Sequence, residues 1–284
     1  MFGLGGLGRP IADRLAETVP VLGYDPAVAG GGGRDALRTA SSAQEVAASC
    51  TVVLLCLPSP QVSISVVSSI VGLDDAATKL IVELSTIGIT ASAKCAEIAA
   101  RSAVGYVDAP VSGSRPKAAA GDLTVMASGS ASDVGAALKV LNAIASHVFV
   151  LGERPGLGQV MKLANNAINA TAFAATCEAV VFGTRMGLDI GQMIDVLNLS
   201  TGRTSASTDK FPTSVLPRTF SFGASGEIVH KDAALFLEAA ETVGLYAPVV
   251  HAAEALWDAH VRAHPEVDFT NLFRFVEDDE HRPA

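Results

Sequence analysis

Short apolar runs alternate with helical patterns along the first half of the chain. Val21–Tyr24, Thr51–Leu57, Lys79–Leu84, Gly105–Asp108 and Val148–Leu151 read as strands. They are apolar along their length rather than at alternate positions, and Ala- and Ser-rich helical segments separate them. Such strands predict a parallel sheet covered on both faces. Arg9–Glu17 carries a helical pattern, and Ser42 with Glu45 three residues on resembles a capping box. The run Gly30–Gly33 is most simply a flexible loop. After Gly152 no strand pattern survives and long helical segments continue to about Asp258. A break near Arg154-Pro155-Gly156 divides the chain into an α/β domain, residues 1–154, and an all-α domain, residues 155–284. The last stretch, Glu277–Ala284, reads as a frayed acidic tail.

One helix carries chemistry. The 26 residues from Gln159 to Thr184 hold two charges, Lys162 and Glu178. A segment apolar nearly all round is expected to be buried between neighbours. Its length would also cross a membrane, but three asparagines, the two charges and abundant alanine argue against that. Lys162, Asn166 and Asn169 fall at i, i+4 and i+7, on one face. A lysine and two amides down a buried helix are costly unless something pairs with them. Either they bond a neighbouring loop internally, or they form the polar wall of a ligand cleft at the domain junction.

Composition narrows the class. With 284 residues there is room for two domains. At 49% hydrophobic and 17% charged, disorder and a solvated coiled coil are excluded. The formal charge of −9, with no strongly basic stretch, argues against nucleic-acid and anionic-membrane partners. Cys50, Cys56, Cys95 and Cys177 follow no metal spacing and read as buried reduced thiols. The six histidines form no metal-binding pattern, so no metal site is expected. No basic segment precedes an apolar core at the start, so the chain reads as cytoplasmic and its two glycosylation sequons carry no meaning.

Gly3-Leu4-Gly5-Gly6-Leu7-Gly8 fits the dinucleotide pattern G-x-G-x-x-G and opens a helical segment. The glycines permit a tight turn and close approach of a pyrophosphate, and the helix N-terminus offers N–H groups to it. Asp25 stands 22 residues after Gly3, at the end of a strand. There a carboxylate accepts ribose hydroxyls and repels a 2′-phosphate, which favours NAD over NADP; the plainer reading is a turn residue before Pro26. Only Met1 and Phe2 precede the first glycine. The strand that aims the turn is thus expected to be nearly absent, although it is central in a Rossmann sheet. On that reading the natural chain begins upstream, and the chain as written is less stable and binds NAD poorly.

Five segments in order, followed by a Lys231-Asp232 pair, resemble the β-hydroxyacid dehydrogenase family, the group of 3-hydroxyisobutyrate dehydrogenase. They are Gly3–Pro10, Leu57-Pro58, Glu83-Leu-Ser-Thr-Ile87, Asp108-Ala-Pro-Val-Ser-Gly-Ser114 and Gly156–Asn166. The resemblance implies a Rossmann-type domain followed by an all-α domain, and NAD, or else NADP, as cofactor. It implies that Ser112 and the Gly113 backbone hold a substrate carboxylate. Lys162 would be the general acid/base and Asn166 the amide that orients it. Leu57, Pro58 and Thr86 would lie near the nicotinamide, and Lys231 close to the cofactor. The substrate would be a small hydroxy acid, interconverted with its semialdehyde or keto acid, and the assembly a homodimer or homotetramer. Three features depart from the family pattern. The first strand is short, Ser114 stands at a family glycine, and Ser200–Ala206 lacks the aromatic that commonly follows its S-x-G-R motif. An NADP-dependent aldehyde-acid reductase and an inactive cofactor-binding homologue are the competing readings. Lys117 and Leu123–Gly129 resemble the threonate-type enzymes whereas Asn165-Asn166 matches the hydroxyisobutyrate type, so the substrate stays open.

Overall fold

The computed structural model describes residues 1–28 and 37–279; the Gly30–Gly33 run and the last five residues of the acidic tail lie outside them. Two compact units divide inside one helix, Met1–Lys162 and Leu163–Ala284.

Unit one is an α/β layer. Its strands are β1 (Val21–Gly23), β2 (Leu37–Thr39), β3 (Val52–Leu55), β4 (Leu80–Glu83) and β5 (Gly105–Asp108), then β6 (Val111–Ser112), β7 (Leu123–Ala127) and β8 (Ala145–Val150). The helices between them are α1 (Gly8–Leu15), α2 (Ala43–Ser49), α3 (Pro60–Val71), α4 (Ile89–Arg101), α5 (Arg115–Ala120) and α6 (Ala131–Ile144). β1 pairs with β2, and β3-β4-β5 run side by side, all parallel. Successive residues explain the two cores. Leu54, Val82 and Val107 face one side with Ile11, Ala118 and Leu141, while Val53, Ile81 and Tyr106 face the other with Val46, Val67 and Cys95. Each such fully buried aliphatic side chain stabilises the fold by ~1.5–3 kcal/mol, and a strand buried on both faces has no polar position to alternate with.

Two expectations need correction. The sheet is not wholly parallel, because β6 runs antiparallel to β7, and β5 joins β7 through an antiparallel bridge between Asp108 and Ser128. Nor do the strands beside the first one lack a neighbour. Phe2 bridges both Tyr24 and Leu55. Its N–H donates to Leu54 O and its carbonyl accepts from Cys56 N–H, each at 2.9 Å, while Tyr24 N–H donates to Met1 O at 2.8 Å. Three residues therefore do the pairing of a short strand, with Met1 and Phe2 both buried.

Unit two is helical. The second part of α7 (Leu157–Arg185) packs with α8 (Ile190–Leu199), a π-helical segment Ala206–Val215, α9 (Gly226–Thr242), α10 (Pro248–Ala263) and α11 (Leu272–Glu277). Its core is aromatic. Phe173 lies 5.3 Å from Phe269 and 6.1 Å from Trp257 between ring centroids, and the buried Trp257 Nε1 donates to Ala170 O at 3.3 Å. α7 is not buried all round: it is long and apolar enough to cross a membrane, yet half of its most apolar window is buried in the protein, while Ile168 and Phe182 are exposed. The acidic end is held rather than frayed as far as Asp279. Glu277 closes α11 and pairs with Arg218 at 2.8 Å, and Asp279 pairs with Arg185 at 2.9 Å.

Candidate active site

The glycines of the first turn answer to sterics. Gly3 has φ +85°, and a Cβ there would run into the carbonyl oxygen of Cys56; on Gly8 it would run into the carbonyl of Gly3. Gly5 and Gly6 face open space. The N–H groups of Gly5, Gly6 and Leu7 take no protein acceptor among the described residues, and no side chain caps α1. This is the arrangement that an anionic pyrophosphate satisfies.

The turn opens on a cavity of about 650 Å³ in unit one, walled by Gly3, Gly5, Gly6, Leu7, Gly8, Asp25, Leu57 and Pro58 among others. Leu4 is buried beneath it, its N–H donated to Asp25 Oδ2 at 2.8 Å. Asp25 Oδ1 accepts the Ala27 N–H at 2.9 Å. The turn role and the cavity-wall role of Asp25 therefore coexist, since a carboxylate has about four acceptor sites. Among the described residues of the wall there is no lysine or arginine. Cavity size, the glycine cradle and a carboxylate on the wall fit a dinucleotide.

A second polar cluster in unit one fixes the start of α7. Asp108 is fully buried. Its Oδ1 accepts Gln159 Nε2 at 2.7 Å, and its Oδ2 accepts the N–H of Gln159 at 3.0 Å, the N–H of Gly156 at 3.1 Å and the Ser128 hydroxyl at 3.1 Å. Burial pushes its carboxyl above the ordinary range, and those donors pull it back. Gln159 Oε1 in turn accepts the N–H groups of Ile87 and Gly88, at 2.9 and 3.1 Å. Lys162 lies one turn further along α7 and is 8% exposed.

Ser112 ends β6 and is half-buried. Gly113 has φ +146°, where an added Cβ would stand 2.6 Å from Leu123 Cδ2. Ser114 takes φ −88°, so the serine that replaces a family glycine sits in ordinary backbone at the start of α5. Thr86 is half-buried in the loop after β4.

In unit two the amides of the stripe have partners of their own. Asn166 Nδ2 donates to Asp232 Oδ2 at 2.6 Å, and Asp232 Oδ1 pairs with Lys231 at 3.1 Å. Asn169 accepts both the Ser205 hydroxyl at 3.0 Å and Lys210 Nζ at 2.7 Å. The two amides of this face are therefore held in internal networks. The sequence reading gave no role to Glu83, Asp108, Gln159 or Lys210. The first two had a signal, a carboxylate closing an otherwise apolar strand. Lys210, buried and pushed down to about 8 by desolvation, had none. Among the described residues no three His, Cys, Asp or Glu side chains gather to hold a metal.

A Rossmann-type layer with a glycine cradle over a dinucleotide-sized cavity, followed by a helical unit, defines a nicotinamide-dependent oxidoreductase. The family described as the NAD-binding domain of 6-phosphogluconate dehydrogenase matches residues 1–152. The one described as NAD-binding of NADP-dependent 3-hydroxyisobutyrate dehydrogenase matches residues 156–276. The chain is 30% identical to 2-(hydroxymethyl)glutarate dehydrogenase of Eubacterium barkeri, over 90% of this chain and 87% of that one. It is also 30% identical to the mitochondrial 3-hydroxyisobutyrate dehydrogenase of Rattus norvegicus, over 98% and 87%. The solved 3-hydroxyisobutyrate dehydrogenase of Mycobacterium tuberculosis with L-serine superposes with a TM-score of 0.84 at 28% identity, over 97% of each chain. The chain belongs to the β-hydroxyacid dehydrogenase family, in its 3-hydroxyisobutyrate dehydrogenase-like group. It is an oxidoreductase of the hydroxy-acid class.

Proposed function

We propose that the protein is a cytoplasmic, NAD-dependent dehydrogenase that interconverts a small β-hydroxy acid and its semialdehyde or keto acid. The observation that carries this is Lys162, buried on α7 one turn beyond the Asp108–Gln159 anchor. When bound, the nicotinamide takes or gives the hydride. Lys162 receives the proton of the substrate hydroxyl during oxidation and returns one to the carbonyl oxygen during reduction. Asn166 orients that lysine and the substrate. The Ser112 hydroxyl and the Gly113 N–H hold the substrate carboxylate, Leu57, Pro58 and Thr86 border the nicotinamide, and Lys231 lies near the cofactor. The glycine turn and α1 hold the pyrophosphate. Oxidation of 3-hydroxyisobutyrate, glycerate, threonate and 4-hydroxybutyrate, each with NAD and with NADP, tests the reading; inactivity on all four despite cofactor binding would leave a binding protein.

Asp25 supports NAD, because a 2′-phosphate beside its carboxylate meets repulsion and no described cation. Asp25→Ala is expected to lower the NAD/NADP ratio of kcat/KM by about tenfold, the effect of ~1.4 kcal/mol. NADP has one finding in its favour, the NADP-dependent description of the C-terminal match. A wild-type enzyme with the higher kcat/KM for NADP would settle the choice that way.

The helical unit leaves Phe182, Met186, Leu188, Leu199 and Val243 exposed, from 58% to 92%. Apolar surface on that scale favours self-association. A homodimer or homotetramer through this unit is the expected species in sedimentation, and a lone monomer at micromolar concentration would count against it.

A further inference from the structure

Two carboxylates close neighbouring strands in register, Glu83 on β4 beside Asp108 on β5. Both are fully buried, but their surroundings differ. Asp108 has the four donors given above. Glu83 Oε1 accepts the Ser85 N–H at 2.9 Å, and its Oε2 has no hydrogen-bond partner. The Ser63 hydroxyl on α3 also has none, and it neighbours this carboxyl. Burial pushes Glu83 up to about 7, against the pull of the Ser85 and Ser63 hydroxyls. Ser85 is the link outward. Its Oγ accepts the N–H of Leu57 at 2.7 Å, and Leu57 and Pro58 wall the cavity.

We propose that Glu83 is a positioning residue that ties cofactor affinity to its own protonation. Ionised, it draws both the N–H and the hydroxyl of Ser85. The Ser85 lone pairs are then fixed on the Leu57 N–H, and the Leu57–Pro58 wall is held in place. Protonated, it turns its own O–H toward Ser63 and frees the Ser85 hydroxyl to rotate. Cofactor therefore binds more tightly to the ionised form. This rests on the reading that Leu57–Pro58 borders the cofactor.

The titratable groups facing Glu83 are Asp108 and Tyr106 from β5, Cys56 after β3 and Cys95 from α4. Burial, with Glu83 adding to it, pushes both thiols up to about 12 and the Tyr106 phenol well above its usual range, so these stay neutral near pH 7. The Asp108 carboxyl is raised as well, from a lower starting value, and keeps its donors. Away from Glu83, the Met1 amine is lowered to about 6 by burial and titrates separately.

The test is binding of NADH and of NADPH, followed by nucleotide fluorescence from about pH 5.5 to 8.5, a span bracketing the Glu83 midpoint. In the wild type, affinity is expected to fall about five- to tenfold as pH drops through 7, the low end of coupling between two sites. Glu83→Gln keeps the shape but not the charge. It should hold the weaker affinity throughout, without the step near 7, while any step near 6 from the Met1 amine persists. By reciprocity, cofactor added near neutral pH should diminish the infrared band of a protonated carboxyl that Glu83→Gln lacks. Ser85→Ala cuts the link with Glu83 left in place, and should bind weakly and without the step even where Glu83→Gln fails to fold. A step near 7 that survives in either variant, or a flat wild-type profile, overturns the proposal and leaves the cofactor reading standing. No binding of either nucleotide to the wild type at any pH overturns both.

Discussion

Lys162→Ala is expected to lower kcat by about 10²–10⁴, the usual worth of one positioned proton-transfer group. Affinity for the cofactor should be unchanged, because the cavity wall is built from the glycine turn, Asp25 and the Leu57–Pro58 segment. The loss belongs to the chemical step: as the carbinol carbon gives up its hydride the hydroxyl must lose its proton, and alanine removes the positioned group that takes it. Lys162→Arg separates charge from proton transfer. It keeps a cation for substrate binding, but the guanidinium does not deprotonate in proteins. Arginine should therefore recover KM better than kcat. Equal recovery of both, or unchanged turnover in the alanine variant, would remove Lys162 from the reaction. Steady-state kinetics with nucleotide titration on the same preparations decide it.

How far the chain itself disclosed this site depends on the range of each interaction. β1, β3, β4 and β5 were legible because burial writes itself as an apolar run, whereas β8 was legible from Val148–Val150 alone, although most of that strand is exposed. β2, Leu-Arg-Thr, has a single apolar residue and β6 is two residues long, too little for a pattern to register. β7 is a five-residue run whose alternation with Thr124 left it unread as a strand. The first strand is as short as its residue count implies, reduced to bridges at Phe2, yet the strands beside it are paired. Counting residues ahead of Gly3 measures strand length, whereas the fold needs a few paired groups, and Met1 to Gly3 supply bonds to both neighbours. The stripe of Lys162, Asn166 and Asn169 was visible because one helix carries it. Its partners were not. Asp232 reaches Asn166 across 66 residues and Lys210 reaches Asn169 across 41, from elements whose placement only tertiary packing sets. A π-helical segment containing Pro212 carries no local pattern that would have announced Lys210.

Asp108→Ala should be the most destabilising of these substitutions. The side chain is fully buried and collects four donors, from Gln159 twice, Gly156 and Ser128. Alanine takes the acceptor away from all four buried donors at once. Each orphaned group costs ~1–3 kcal/mol, and partial relaxation brings the expected total to about 3–5 kcal/mol. For a unit of this size that is a fall of roughly 10 °C in Tm. Asparagine should rescue little, since its amide nitrogen would point a donor at donors: Oδ2 alone accepts two backbone N–H groups and a hydroxyl. The consequence extends to chemistry. Gln159 stands three residues before Lys162 on α7, and its side chain is clamped between Asp108, the Ser85 carbonyl and the N–H groups of Ile87 and Gly88. Releasing that clamp frees the first turn of the helix that aims the lysine. Asp108→Asn, studied well below its melting temperature, should therefore lose kcat while still binding NADH. A Tm within about 2 °C of wild type, less than ~1 kcal/mol for a unit of this size, would show that the anchor is dispensable, and full kcat in a folded Asp108→Asn enzyme would show that Lys162 is aimed by something else.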